Sequence, residues 1–418
     1  MRLAALWLGL VTLLVLVLGA AACGSSDASS TATDDAGPAA DGGADTAKPG
    51  DDEDAVDAAA ACPRLPKPDD HVRKVVISHP FGADSSKAPL YEVLELSATG
   101  TLTKTGNTFT MRPGFAEITF SLDGKIGMVP QDDGSIGVFT FDDAGKPKVI
   151  HEGLEGSFYA DHILAAKDGQ HVYVLDANTE SNGGGVHRFV INCDGTLKHE
   201  GLVVTGGRAH AMAFYPGDRD RAVLIAYKAL DSADGAYAHR LDLSGAKPKR
   251  VASGPVFADA DAIASWVAIT NDGKFALVTD NGIAKGSRMA PVALGDMTKR
   301  ATISTPSPAA VVMSPFGNSL LLLNSDGTDA LTIVKYDAAN DTTPFTITGL
   351  VPLVGGKTEV PSHASVVDLG TLRGRALVAE TVQVRQLAFA PDGSITDVGG
   401  AVAYDGIPGV VGSLGVEP

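Results

Sequence analysis

Seven side chains hold most of the chemical interest of this chain: Glu117, Asp161, His162, Arg208, His210, Trp266 and His363. Three imidazoles and two carboxylates make a donor set that can hold a divalent cation if the fold gathers them around one point. Arg208 adds a fixed positive charge, which suits an anionic ligand or a developing oxyanion better than a metal. No local motif joins these residues. The sequence has no H-E-x-x-H and no paired-cysteine site, no G-x-S-x-G elbow, and no Gly-rich phosphate loop ahead of a helix. The same groups would serve equally as polar lining around buried water. A metal, an anion and a water network all stay open, and no cofactor is named.

The elements that must position these residues are repeats. Ser121-Leu122-Asp123-Gly124-Lys125, Ala166-Lys167-Asp168-Gly169-Gln170 and Thr270-Asn271-Asp272-Gly273-Lys274 each precede an apolar strand. Looser copies surround Gly217, Gly317 and Gly374. Glycine accepts the positive φ of a tight hairpin, and the Asp before it bonds the turn backbone. These glycines recur every 44 to 57 residues, the length of one four-stranded propeller blade. Counting back from them places Glu117, His162, His210 and Trp266 at one innermost-strand position, with Ala310 in the sixth blade. Asp161 and Arg208 fall one and two residues upstream of that position. His363 falls near the start of the last blade's first strand.

The expected fold is therefore all-β, a seven-bladed β-propeller over residues 62–418. The fifth blade has only a weak third strand, near Pro291–Leu294. The first blade lacks an inner strand of its own, while the apolar stretch 409–416 has no blade after it. The chain's end is expected to supply the missing strand and close the ring, removing free sheet edges.

From Val72 to Val416 the chain resembles the lactonase-like, YVTN-type bacterial propellers, whose blades carry a Ser-Pro-Asp-Gly-Lys-like turn before an apolar strand. Ser121–Lys125 and Ala166–Gln170 carry the likeness. The resemblance implies architecture. Lactonase-like relatives use acidic, histidine and arginine residues at the channel mouth, and those types recur here without a residue-by-residue match.

Residues 1–22 read as a signal peptide: Met1-Arg2, a charge-free apolar run from Leu3 to Leu18, then Gly19-Ala20-Ala21-Ala22 before Cys23. Small residues before a cysteine resemble the lipobox of bacterial lipoproteins, which implies a lipid on Cys23. Residues 23–61 read as an acidic disordered linker, with ten acidic residues and one lysine between Gly24 and Ala61. That stretch supplies roughly half of the net charge of −17. The acidity argues against nucleic acid as a partner. Export permits a disulfide, so a Cys62–Cys193 bridge, two free thiols and pairing with a partner all stay open.

The sequence thus predicts an exported protein tethered by lipid to the bacterial cell envelope, at the outer rather than the inner membrane. Its expected role is non-enzymatic binding or scaffolding through the propeller surface or channel mouth. An envelope protein or a small molecule would be the partner. The alternative is a lactonase-type hydrolase acting at the central channel.

Overall fold

The computed structural model describes residues 62–418 except 63, 68–69, 81–88, 179–183, 206, 228–234, 246, 260–261, 263, 282–286, 307, 325–329, 354–360 and 405–411. The expected signal peptide, Cys23 and the expected acidic linker lie outside the described residues. Among those described there is no helix, and seven antiparallel sheets form a seven-bladed propeller.

Written from the channel outward, the second blade is Thr119–Phe120, Ile126–Pro130, Ile136–Phe141 and Pro147–Leu154. The third is Ala160–Ala165, His171–Asp176, Gly185–Ile191 and Leu197–Thr205. The fourth is Arg208–Tyr215, Asp218–Tyr227, Ala236–Asp242 and Lys249–Phe257, and the sixth is Pro308–Met313, Ser319–Asn324, Ala330–Tyr336 and Phe345–Pro352. The fifth begins Ala264–Ile269, Phe275–Asp280, Arg288–Ala293, and the seventh His363–Val366, Arg375–Ala379, Gln383–Phe389; in each, two short strands share the outer position.

Blade turns form as their residues dictate. Asp123 Oδ1 accepts from Lys125 N at 3.1 Å and from the Ser121 hydroxyl at 2.6 Å, while Gly124 takes φ +68°. The second strands are buried along most of their length, and Phe275–Asp280 and Ser319–Asn324 along all of it. They read as continuous apolar runs because a neighbouring blade covers each face of the sheet, so alternation has no exposed side to serve. Between every two neighbours lies one apolar cluster, from Val76, Tyr91 and Phe139 between the first and second blades to Ile77, Leu377 and Leu414 between the seventh and first.

The ring closes through the chain's own ends. Ser413–Val416 pairs antiparallel with Arg73–His79, register Ser78↔Ser413, and becomes the inner strand of the first blade. Gly415 is required there, since a Cβ would stand 2.3 Å from the carbonyl oxygen of Ile118 in the next blade. A strap reinforces this seam on the face of the hairpin turns. Cys62 and Cys193 are bridged by a disulfide, with Cα atoms 5.4 Å apart. Arg64 is buried beside it, pairs with Asp123 at 3.1 Å and donates to the Asn192 carbonyl at 3.1 Å. Lys67 pairs with Glu417, whose other carboxylate oxygen accepts from Lys74 N at 2.8 Å.

One element differs from expectation. The third strand of the fifth blade is a full six residues, Arg288–Ala293. What is broken is its outer partner: Thr298–Lys299 pairs with Val292 and Ala293, and Ile303–Ser304 with Arg288 and Met289. Pro291 lies in the gap and has no N–H to give a fourth strand, so the ladder splits around it.

Candidate functional site

Strand register fixes which inner-strand residues share a level. His162 pairs with Leu175, Trp266 with Thr279, Ala310 with Leu323, His363 with Ala379, and Ser413 with Ser78. Each partner stands one residue before a polar residue at or just past the end of its second strand, namely Asp176, Asp280, Asn324, Glu380 and His79. Extending Thr119↔Met128 by two residues sets Glu117 opposite Pro130, one before Gln131. One layer across the channel is therefore Ser413, Glu117, His162, Ala211, Trp266, Ala310 and His363, one residue from each blade.

His210 departs from the position that counting from the turn glycine assigns it. The fourth blade turns through Pro216-Gly217 alone, with Tyr215 still paired to Asp218. Its turn is one residue shorter than the Ser121–Lys125 type, so the count slips by one and Ala211 takes the level of His162. His210 is instead the extra residue of a bulge between Ala209 and Ala211. Asp161 is the extra residue of the matching bulge between Ala160 and His162. The two meet, His210 Nδ1 to Asp161 Oδ2, at 2.6 Å. Arg208 lies alongside and donates to the Ala177 carbonyl at 3.0 Å. Burial alone would lower the His210 pKa, but the Asp161 carboxylate overrides it and raises it, with Arg208 opposing. Asp161, Arg208 and His210 thus form a group apart from the channel layer.

Within the layer, polar and apolar arcs face each other. His363, Ser413, Glu117 and His162 follow one another over four adjacent blades. Opposite them stands Trp266, and the small Ala211 and Ala310 to either side give the indole room. Trp266 reaches across the channel: it stacks on His162 at 5.2 Å between centroids and meets His363 edge-on at 6.4 Å. His162 Nε2 lies 3.7 Å from Glu117. Enclosure by protein pushes His363 down to about 4; Glu117 works against this shift and His162 adds to it. Three buried atoms of this layer have no hydrogen-bond partner in the structure: Nδ1 of His162, Nδ1 of His363 and the Ser413 hydroxyl. Below the layer a cavity of about 210 Å³ continues down the channel, lined by Glu117, His162, Ser365, Phe214, Arg219 and Pro418 among others.

Buried polar pairs hold the layer from behind. Asp176 binds His187 at 3.1 Å and accepts from Tyr159 N at 2.9 Å, just ahead of Asp161 and His162. Asp280 binds Arg288 at 2.8 Å, Asn324 binds Thr332 at 2.9 Å, and Gln131 accepts from Ser135 at 2.6 Å. Each pair ties the end of a second strand to the third, which fixes where the inner strand begins. Turn counting misses two layer members, Ala211 because its turn is short and Ser413 because no blade turn follows it. The register of Ser413 with Ser78 is the signal that finds it. Among the described residues no three metal-ligating side chains converge on one point.

Solved structures share this architecture. A Lactobacillus plantarum protein matches with TM-score 0.61 at 14% identity, covering 82% of this chain and 99% of that one. A candidate 6-phosphogluconolactonase of Bacteroides fragilis matches with TM-score 0.57 at 15% identity, over 84% and 99%. The periplasmic gluconolactonase of Pseudomonas aeruginosa matches with TM-score 0.57 at 16% identity, over 81% and 98%. The fold is that of the lactonase-like seven-bladed propellers. The sequence matches no family model and no curated protein. At these identities the likeness extends to the ring of blades, and the layer of Glu117, His162, Trp266 and His363 is read from this chain alone.

Proposed function

We propose that this protein is an exported, envelope-tethered binding propeller that takes a small polar ligand in its central channel. One observation carries the reading: the buried, orphaned Nδ1 of His162 belongs to a residue that lines an open cavity together with Glu117, and an orphaned Nδ1 on His363 lies at the same level. Buried polar groups are nearly always partnered, so such an atom on a cavity wall implies a guest, solvent or solute. Trp266 supplies an aromatic wall. The sequence supports the tether, through Cys23 and the acidic stretch that follows.

The chain has two tryptophans, Trp7 in the leader and Trp266. In a Trp7→Phe chain, Trp266 fluorescence reports on the channel directly. Titration with sugars, hydroxy acids and amino acids should find a saturable response that His162→Ala abolishes. A response identical in both chains would put the ligand elsewhere. The tether is tested by fractionation: Cys23→Ser should leave the membrane fraction or accumulate uncleaved, and an unmodified N-terminal Cys23 would refute the lipid.

A second reading, lactone hydrolysis, draws on the Asp161–His210 contact and on the activity named for the Pseudomonas aeruginosa neighbour. An imidazole held by a carboxylate can accept a proton from water. Gluconolactone turnover that Asp161→Asn lowers at least tenfold would favour this reading over binding alone.

A further inference from the structure

We propose that the channel is a one-ended well entered from the face of the hairpin turns, with Arg219 at its mouth as the docking point for a small hydroxylated anion. This deepens the channel-binding reading and rests on it. On the loop side the contacts Glu117–His162–Trp266–His363 form a bar across the channel, linking the second, third, fifth and seventh blades. On the turn side the cavity runs down past Leu164 and Ala165 to Phe214, Arg219 and Pro418. From His162 to Ala165 is three residues of strand, so the well is roughly 10 Å deep.

The mouth has the chemistry of an anion site. Arg219 is exposed, its NH1 donates to the Ala165 carbonyl at 3.0 Å, and its guanidinium carbon lies 5.6 Å from the centre of the Phe214 ring. That fixes the plane of the group and leaves most of its five donors for a ligand. Asp368 acts on it electrostatically, but among the described residues no carboxylate lies within ion-pair distance of it. At the blind end Glu117 can accept hydroxyl protons, and the unpartnered Nδ1 of His162, a residue 7% exposed, can take either role. An anionic group at Arg219 and hydroxyls at Glu117 and His162 therefore describe one ligand about as long as the well. The strap keeps this mouth in shape. Two of its anchors are Asp123, next to the lining residue Leu122, and Glu417, between the lining residues Val416 and Pro418.

The test uses D-glycerate, sn-glycerol 3-phosphate and glycerol as probes on the full chain, by calorimetry and Trp266 fluorescence. One or both anions should bind, and glycerol at least tenfold more weakly. The glycerate and phosphate arms tell which anionic group is preferred. Arg219→Gln should weaken anion binding at least tenfold, Arg219→Lys should restore part of it, and added salt should weaken it in the parent alone. Arg112→Gln, a charge loss on the loop side, should change nothing. Anion affinity that survives Arg219→Gln but is lost in His162→Ala overturns the turn-face docking point and leaves the channel reading standing. Affinity lost in Arg219→Gln but intact in His162→Ala overturns the well, since the anion would then rest on the surface. Binding of neither anion also overturns it.

Discussion

Asp161 and His210 meet at 2.6 Å across a blade boundary because each is the extra residue of a bulge at the same place in its inner strand. The bulge turns both side chains out of the channel layer toward each other. The raised His210 pKa sets the sign of the effect. The pair's contribution is fully present below about 6.5 and is lost as pH rises through the higher folded-state value. Asp161→Asn should therefore cost ~1 kcal/mol or less at pH 5.5, both groups being partly exposed, and less still at pH 9. Urea unfolding at the two pH values checks this. Equal losses at both would mean that the contact is not charge-dependent.

His363 predicts the opposite slope. Its folded-state value of about 4 lies below the ordinary 6.5, so the unfolded chain binds the proton more readily in between. Stability should fall as pH drops from 6.5 towards 4, by at most about 3 kcal/mol from this residue. His363→Gln should flatten that part of the profile relative to the parent. A parallel profile would show that His363 is not held neutral.

The strap should matter to stability as well as to the mouth of the channel. Cys62→Ser combined with Cys193→Ser should cost about 2–4 kcal/mol, the usual range for a bridge closing a long loop. Reductant added to the parent should bring its guanidinium midpoint to that of the double variant. A parent indifferent to reductant would mean that the bridge does not restrain the unfolded chain.

Closure makes a sharper claim. Leu414 is fully buried in the cluster between the seventh and first blades, so Leu414→Ala should cost ~2–5 kcal/mol. Gly415→Ala forces a Cβ to 2.3 Å from a backbone oxygen and should also destabilise strongly. Gly349→Ala, whose nearest neighbour would be 3.7 Å away, is the control. Similar losses at both glycines would place the chain's end outside the ring.

Much of the fold was legible because it depends on short-range patterns. The Asp-Gly turns and their spacing name the blade, and the unmatched apolar ends at 72–79 and 409–416 name the closure. The layer was only partly legible. Glu117, His162 and Trp266 can be found by counting from a turn glycine wherever the turn has the common length. The same count misplaces His210, where Pro216-Gly217 makes a tighter hairpin, and it cannot reach Ser413.

Sequence by itself determined the architecture: each blade is local, with a period written in glycine, aspartate and apolar runs that needs no partner to be read. It also supplied the ionisable residues from which a site can be built. Tertiary structure decided which of them meet. Trp266 stacks on His162 and reaches His363 only because ring closure sets non-neighbouring blades opposite one another. Bulges, which cost a single residue and leave no mark in composition, then separated Asp161 and His210 from the channel layer. Contacts between distant blades depend on register and curvature summed around the whole ring, and no local stretch of sequence carries that sum.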